Sequence, residues 1–403
     1  MVRPPCSCLI ALAALVFAPP AAIGTPPTDR SWPMFRGGPQ LTGVAASALP
    51  DKPVLLWKFN AGDVVASSAA IENGLVYVGC DNGTLFALQL ADGSVKWRSL
   101  IAPSTQPSSS SQPNRAAIQS SPTIHDDLIL FGDMDGVMHA IAKSDGREKW
   151  TYKTGAEIIS SVNCFEDRAL FGSYDGFLYC LDVKTGKEIW KFETEGKVHA
   201  TPGIWIDMRH VAHAIIAGCD ARMRAIRISD GKQAAEVEIG GYCGSSPAML
   251  GGRAFVGTFS NQIVGVDLRT GDSSPPASAK LMWTFENPDR QFPYLSSAAL
   301  GPHALAIGSR DKLIHCLDYL GKQIWEFPTK GRVDSSPVIV SDRVFVGSSD
   351  GTLYAIDLAS GKERWRYEAG GPMSASPAVA DSRLVIGTED GAVLCFGAPE
   401  ARK

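Results

Sequence analysis

The chain has 403 residues and a formal net charge of −4, which becomes −5 without residues 1–24 and their single Arg3. An acidic chain with no stretch rich in Lys and Arg is not typical of a protein that binds nucleic acid. Its 40 Gly and 26 Pro instead predict a fold with many turns.

Residues 1–24 predict a secretory signal peptide. One Arg precedes an apolar core at 9–18, and Ala22-Ile23-Gly24 forms a small-x-small cleavage site. The apolar run is too short to span a bilayer, and Cys6 and Cys8 precede it, so we see no lipid-attachment cysteine. We expect an exported, soluble protein, periplasmic or extracellular, without a transmembrane segment.

Seven cysteines remain after residue 24, which is an odd number, and several lie in or beside apolar runs. Buried cysteines of this kind behave as small hydrophobic residues, so we expect no disulfide framework.

Residues 25–53 form an N-terminal extension ahead of the repeats described below. The stretch SWPMFRGGPQLTG within it has no counterpart elsewhere in the chain. We expect it to pack over an opening or along the edge of the fold, with Trp32 and Phe35 as its anchors.

The stretch 335–365 contains four short runs rich in Val, Ile, Phe and Tyr, separated by turn signals such as Asp350-Gly351 and Ser360-Gly361. Such a pattern predicts a four-stranded antiparallel meander. Its length of about 40 residues is typical of one blade of a β-propeller.

The meander recurs eight times, and each copy opens with a pair of small hydroxyl-bearing or apolar residues. These pairs are Ser67-Ser68, Ser120-Ser121, Ser160-Ser161, Ala200-Thr201, Ser245-Ser246, Ser296-Ser297, Ser335-Ser336 and Ala375-Ser376. The chain therefore predicts an all-β fold, an eight-bladed propeller over residues 54–398.

Most fourth strands carry a Trp four residues after a Gly, but seven such strands serve eight repeats. The missing fourth strand is predicted at 54–60, so that the N-terminal strand joins the C-terminal blade and closes the ring. Ala235 takes the place of the Trp in blade 4. The tryptophans expected to dock neighbouring blades are Trp57, Trp97, Trp150, Trp190, Trp283, Trp325 and Trp365.

The Ser-Ser-Pro opening, a GSxDG turn, an LYALD-like run and a TGKxxW ending resemble the repeat of pyrroloquinoline-quinone (PQQ)-like propellers. The resemblance covers residues 31–398 and extends to SWPMFRGGPQLTG, which is similar to the N-terminal segment of exported bacterial members. The family includes quinoprotein alcohol dehydrogenases and the outer-membrane assembly lipoprotein BamB, and this chain resembles the BamB-like branch. The repeat is specific for the fold and weak evidence for function, because it encodes blade packing.

Membership among the quinoproteins would imply PQQ, a Ca²⁺ ion, an Asp base and a vicinal pair of cysteines. The chain has no adjacent cysteine pair and lacks the length of the enzymes. The BamB-like alternative implies a non-enzymatic scaffold without a cofactor, although the missing lipid-attachment cysteine departs from BamB.

Other chemical motifs are weak. Asp133-x-Asp135-Gly136 resembles the start of a Ca²⁺ loop without its later ligands, and His210 and His213 have metal-like spacing without a third ligand nearby. We therefore predict no catalytic and no metal site.

The residue before each opening pair differs from blade to blade, which favours the mouth of the central funnel as a small-ligand or peptide site. The candidates there and nearby are Gln119, His199, Asp334, Arg332, Lys197 and Tyr242.

A protein partner is expected on the loops of the same face. Arg290, Phe292 and Tyr294 lie in a long connection, and these residue types are enriched in binding hot spots. The main hypothesis is an exported, monomeric scaffold, BamB-like in fold and in task, which includes outer-membrane protein assembly. The alternative is a PQQ- or small-ligand-binding oxidoreductase that uses the funnel.

Overall fold

The computed structural model describes residues 28–101, 116–269 and 279–399. The predicted signal peptide and its cleavage site lie outside these residues. Within them, eight four-stranded antiparallel sheets form a ring, as predicted, and the innermost strands of neighbouring sheets contact one another around the axis. No helix in the described ranges has the length and apolarity that crossing a bilayer requires.

Blades 1 to 4 follow one another along the chain, and each runs from its innermost to its outermost strand. Their strands are Ala70–Glu72, Leu75–Gly79, Thr84–Gln89 and Val95–Leu100; Thr123–His125, Leu128–Gly132, Val137–Ala142 and Glu148–Lys153; Asn163–Phe165, Arg168–Gly172, Phe177–Asp182 and Glu188–Glu193; and Gly203–Ile206, Ala212–Ala217, Arg222–Arg227 and Gln233–Glu238.

Blades 5 to 8 repeat this order, except that the last strand of blade 8 comes from the N-terminal part of the chain. Their strands are Ala248–Leu250, Arg253–Gly257, Gln262–Asp267 and Lys280–Glu286; Ala299–Leu300, Ala304–Gly308, Leu313–Asp318 and Gln323–Pro328; Val338–Val340, Arg343–Gly347, Thr352–Asp357 and Glu363–Glu368; and Ala378–Ala380, Arg383–Gly387, Ala392–Gly397 and Val54–Asn60. Two further strands, Ser31–Trp32 and Val44–Ala45, pair with blades 1 and 7.

Position within a blade explains the sequence pattern of each strand. The second strands are buried along their length, as in Leu75–Gly79, because a neighbouring blade covers each face. The fourth strands alternate between exposed and half-buried residues, as in Glu188–Glu193, because they form the outer wall.

The ring closes as the sequence predicted. Strand Val54–Asn60 pairs antiparallel with Ala392–Gly397, and Trp57 lies opposite Cys395. The pairing covers the outer edge of the third strand of blade 8, so the two ends of the propeller are joined by a strand ladder.

Six of the seven predicted tryptophans dock onto the next blade in the same way. The indole of Trp190 lies over Gly231, and its N–H donates to the carbonyl of Ile228 at 2.9 Å. A Cβ at Gly231 would come within 2.7 Å of the ring. The other pairs are Trp57 with Gly93, Trp97 with Gly146, Trp150 with Gly186, Trp283 with Gly321 and Trp325 with Gly361.

Trp365 departs from this pattern, because it faces the seam of the ring. The turn that would carry its glycine is replaced in blade 8 by the break between Gly397 and Val54. Trp365 instead packs edge-on against Phe396, with ring centroids 5.8 Å apart.

Residues 28–53, here called the plug, close one end of the central channel. We call this end the bottom face; it carries the turns between first and second strands and between third and fourth strands. The opposite, top face carries the turns between second and third strands and the connections from one blade to the next. The predicted anchor Trp32 is buried, and Phe35 reaches the channel cavity from below.

Arg36 fixes the plug beneath blades 6 and 7. Its buried guanidinium donates to the carbonyl oxygens of Ala298, at 2.9 Å, and Pro337. A Cβ at Gly43 would lie 1.9 Å from Nη2 of Arg36, so this position requires glycine. Burial lowers the pKa of Arg36 to about 9.

All seven cysteines in the described ranges are free. This confirms, for that part of the chain, the expectation that no disulfide framework exists. The fold is stabilised instead by strand ladders, interblade packing and the plug.

Replacing Gly231 by Ala tests the Trp dock. Gly231 and Gly74 both have a left-handed φ, of 71° and 73°, but nothing lies within 4 Å of a Cβ at Gly74. Both substitutions place a side chain on a left-handed backbone, which destabilises both variants to a similar degree. In Gly231→Ala the new methyl group also overpacks against Trp190, which lowers the free energy of unfolding by a further amount of about 1–3 kcal/mol. Urea unfolding should show a larger loss of unfolding free energy for Gly231→Ala than for Gly74→Ala. Equal losses in the two variants would contradict the docking of Trp190 on Gly231.

Candidate functional site

The eight residues that precede the opening pairs line one cavity at the top of the channel, as the sequence predicted. Gln119, His199 and Asp334 are among them. Phe35 of the plug also lines this cavity, whose volume is about 140 Å³. Ligand pockets usually measure about 300–1,000 Å³, so the mouth has room for a few waters or one small group.

A closed circle of hydrogen bonds lies directly beneath these residues. In each blade the second residue of the opening pair donates its N–H to the hydroxyl of the equivalent residue in the next blade, at 2.9 or 3.0 Å. The donors in order are Ser68, Ser121, Ser161, Thr201, Ser246, Ser297, Ser336 and Ser376, and Ser376 donates back to Ser68.

Three polar residues of the mouth are already paired with a neighbouring blade. Gln119 donates to Asp81 at 3.2 Å, and Nδ1 of His199 lies 2.6 Å from the hydroxyl of Tyr174. Asp334 accepts two hydrogen bonds from Arg310, at 2.9 and 3.0 Å.

These partners form a second ring that the sequence analysis missed. Each occupies the variable position of the GSxDG turn between the second and third strands of its blade. Aligning that turn across the repeats would have found it, because the residue differs in every blade. The ring comprises Asp81, Met134, Tyr174, Cys219, Phe259, Arg310, Ser349 and Glu389.

The other three funnel candidates lie on the rim rather than in the cavity. The ammonium of Lys197 sits over the ring of Tyr174, 4.4 Å from its centroid. Arg332 places Nε 3.2 Å from Asp334, and Tyr242 is 59% exposed. The structure therefore separates the six candidates into three that line the cavity and three that surround it.

The predicted partner loop needs one correction. Tyr294 is 1% exposed: its Cβ packs over Gly257, and its ring meets His315 edge-on at 5.5 Å. It is therefore a core residue and cannot offer its ring to a partner. Phe292 is 49% exposed, and Arg290 donates to the carbonyl of Asp311 at 3.1 Å.

Phe292 borders a groove between blades 6 and 7 on the top face, here called the basic groove. Its volume is about 560 Å³, and four cationic side chains face one carboxylate, Asp350. Asp350 accepts main-chain N–H bonds within its own turn and the neighbouring one. The cations are Arg310, Lys312, Lys330 and Arg332.

Lys312 stands at a position where five other blades have glycine. Its φ is +70°, in the left-handed region that disfavours a side chain. Ala221 and Asn261 have a positive φ at the same position of blades 4 and 5, so Lys312 is distinguished by its charge and not by its backbone. The sequence analysis had named Arg332 and missed the two lysines, because turn residues from different blades meet only in the ring.

The weaker metal motifs have ordinary structural roles. Asp133 lies 2.8 Å from Nε2 of buried His139, and His213 lies 3.2 Å from Asp207. Within the described ranges no three His, Cys, Asp or Glu side chains are placed to hold a metal ion.

The repeat and the ring define a PQQ-like eight-bladed propeller. The chain belongs to the family described as "Outer membrane protein assembly factor BamB", whose model matches residues 51–163, 160–280 and 310–402. BamB of Yersinia pestis is 30% identical over 91 residues, which are 23% of this chain and 19% of that protein. The match thus spans about a fifth of that relative.

Solved structures show the same fold at low identity. BamB from Moraxella catarrhalis superposes with a TM-score of 0.68 at 16% identity, covering 87% of this chain and 99% of that one. A europium-containing methanol dehydrogenase superposes with a TM-score of 0.71 at 14% identity, covering 92% of this chain and 98% of that one. Because BamB and a methanol dehydrogenase match equally well, the shared fold does not decide what this chain does.

The pH dependence of stability tests whether the half-buried imidazole of His199 is held neutral. Desolvation, aided by Lys197, lowers its pKa to about 4. Because the pKa of His199 is lower in the folded chain than in the unfolded chain, the folded chain binds fewer protons. The contribution of His199 to the free energy of unfolding is therefore complete above the pKa of the unfolded chain, and it is lost as the pH falls toward 4. With a reduction for the partial exposure of the side chain, this lowers the free energy of unfolding by about 2 kcal/mol.

His199→Gln removes this titration while leaving a polar side chain beside Tyr174. Urea unfolding at pH 7.0 and 4.5 should show a smaller acid loss for the variant than for the wild type. The same loss in both proteins would show that His199 is not held neutral.

Proposed function

We propose that this protein is an exported, non-enzymatic scaffold that holds a protein partner on its top face, in the basic groove beside Phe292. The observation that carries this proposal is the contrast between the two candidate sites. The funnel mouth is small and internally paired, whereas the groove is open and positively charged. Assembly of outer-membrane proteins is the task that the family description supports for it.

The funnel fits PQQ poorly. A cavity of about 140 Å³ is below the range of pockets for ligands of that size, which is about 300–1,000 Å³. Gln119, His199 and Asp334 would each have to leave a partner in the next blade before they could bind a quinone. The protein therefore works without this cofactor under our proposal.

The groove favours an acidic, extended partner segment. The chain is acidic overall, yet the groove presents Lys312 and Lys330 together with two arginines. Asp334 is held by both arginines, which leaves the lysines to attract carboxylates. Phe292 adds an exposed aromatic ring, a residue type suited to anchoring a partner.

Calorimetric titration with PQQ, with and without Ca²⁺, separates the scaffold from the quinoprotein alternative. We expect no saturable heat and no rise in melting temperature, because the funnel mouth lacks the volume. Saturable binding of about one PQQ per chain at micromolar affinity would contradict the proposal and support the enzyme.

Photo-crosslinking in the native host tests the partner surface. A benzophenone amino acid placed at position 292 should give protein adducts. The same probe at position 320 should not, although Leu320 is 79% exposed, because it lies in a third-to-fourth-strand turn of blade 6 on the bottom face. Equal adducts at both positions would contradict the groove.

A double variant tests the charge of the groove. Lys312→Gly and Lys330→Glu introduce residues found at the equivalent positions of other blades, Gly351 and Glu195, so the turns should keep their shape. Adduct yield at position 292 should fall at least tenfold, and raising salt should weaken it in the wild type. An unchanged yield would overturn the acidic partner.

A further inference from the structure

The plug extends the inner strands of five blades in one repeated way. In each, the main-chain N–H two residues after the Pro position of the opening motif donates to a carbonyl oxygen of the plug. The bonds run from Ile124 to Pro33 at 2.7 Å, Ile204 to Pro39 at 2.9 Å, Met249 to Gln40 at 2.8 Å, Leu300 to Thr42 at 2.9 Å and Ile339 to Gly43 at 2.8 Å.

Blade 3 has the same edge, but there the plug bonds a side chain and not the main chain: Nδ2 of Asn163 donates to the carbonyl of Pro39 at 2.9 Å. Cys164 is the equivalent residue and lies opposite Ala169 in a two-residue hairpin closed by Phe165 and Arg168. Because Phe165 and Arg168 form the bonded pair next to the turn, the N–H and C=O of Cys164 point away from the second strand. Neither has a hydrogen-bond partner among the described residues.

The path of the plug explains the gap. Between Pro33 and Pro39 the chain makes a turn in which the N–H of Gly37 donates to Met34 at 2.9 Å. Arg36 and Gly37 have φ values of 63° and 84° there. This turn sends Phe35 into the channel and Arg36 beneath blades 6 and 7, so these residues cannot also follow blade 3.

A cavity of about 690 Å³ occupies the gap on the bottom face. Pro33, Met34, Pro39 and Ile124 form an apolar floor around buried Cys164. Its size lies within the range of about 300–1,000 Å³ that is usual for ligand pockets.

The rim of this cavity carries acidic groups. Asp126 and Glu166 occupy the hairpin turns of blades 2 and 3, and both side chains are exposed. Lys143 on the same rim is already paired with Glu72 at 2.6 Å. Arg30, which also lines the cavity, lies 3.5 Å from Asp381, and His125 lies 3.8 Å from Asp126. With both cations facing carboxylates of their own, Asp126 and Glu166 leave the entrance negatively charged.

We propose that this gap is a docking site for a short extended peptide segment of a partner protein, which pairs with the free edge of Cys164. An apolar or proline residue would rest on the floor, and a basic residue would meet Asp126 and Glu166. The site continues the plug interface, in which Pro33 and Pro39 already supply carbonyl oxygens to the flanking blades. It lies on the face opposite the basic groove and does not depend on it.

Amide hydrogen exchange tests the free edge in the unliganded chain. The N–H of Cys164 should exchange at least tenfold faster than those of Ile124 and Ile204, because their N–H groups are bonded to the plug. Equal protection of the three amides would show that the edge is already covered and would overturn the proposal.

Binding is tested with a displayed library of random heptapeptides, selected on the full chain and counter-selected on Cys164→Pro. Proline removes the donor, and it is tolerated at an edge whose N–H is unbonded. The matched change Ile204→Pro breaks the bond to Pro39 and should lower the melting temperature much more.

Peptides recovered this way should be basic and should slow exchange at Cys164. Their affinity should fall at least tenfold for Cys164→Pro and also for Glu166→Lys, an exposed change that leaves the fold intact. Failure to enrich any peptide, or unchanged affinity for both variants, would overturn the site. The site would also be overturned if the peptides lost binding only in the variant with Lys312→Gly and Lys330→Glu, because such peptides would occupy the basic groove.

Discussion

The ring of main-chain N–H to hydroxyl bonds around the axis is the constraint on which the rest of the fold depends. Each of the eight bonds joins neighbouring blades at the same height and nearly the same length, from Ser68 round to Ser376. The bonded groups are buried, so an unpaired one would cost its full desolvation. Fixing the inner strands in this way leaves the residue before each pair free to vary, and that residue lines the funnel mouth.

The two ends of the channel differ because one face is occupied by the chain itself. The plug binds inner strands through its carbonyl oxygens and buries the guanidinium of Arg36 among main-chain acceptors. On the top face, pairs between adjacent blades, such as His199 with Tyr174, close the mouth from within. Open surface is found in the basic groove between blades 6 and 7 and where the plug leaves the main-chain edge of blade 3 uncovered.

Small departures from the repeat mark these two places. Lys312 places a cation at a turn position where five other blades have glycine, and it contributes to the basic groove. In the plug, the turn through Arg36 and Gly37 leaves the edge of Cys164 uncovered. In a fold built from eight similar units, such exceptions carry information about function that the shared positions cannot, because the shared positions serve packing.

Local sequence patterns were sufficient to predict the architecture. Strand periods, turn residues and the Gly-x₃-Trp spacing act within one blade or between adjacent ones, so eight blades and closure by 54–60 could be read directly. Gln119, His199 and Asp334 were also placed correctly at the funnel mouth, because each precedes a recognisable motif.

Tyr294 was misplaced because it is buried by Gly257 and His315, which lie in blades 5 and 6, and no local sequence pattern reports such contacts. Three features became visible only in the folded ring. Gln119, His199 and Asp334 are already paired, turn residues of blades 6 and 7 meet in one groove, and the plug leaves the main-chain edge of blade 3 uncovered. These depend on contacts between residues far apart in the chain, whose geometry is set by the closed ring.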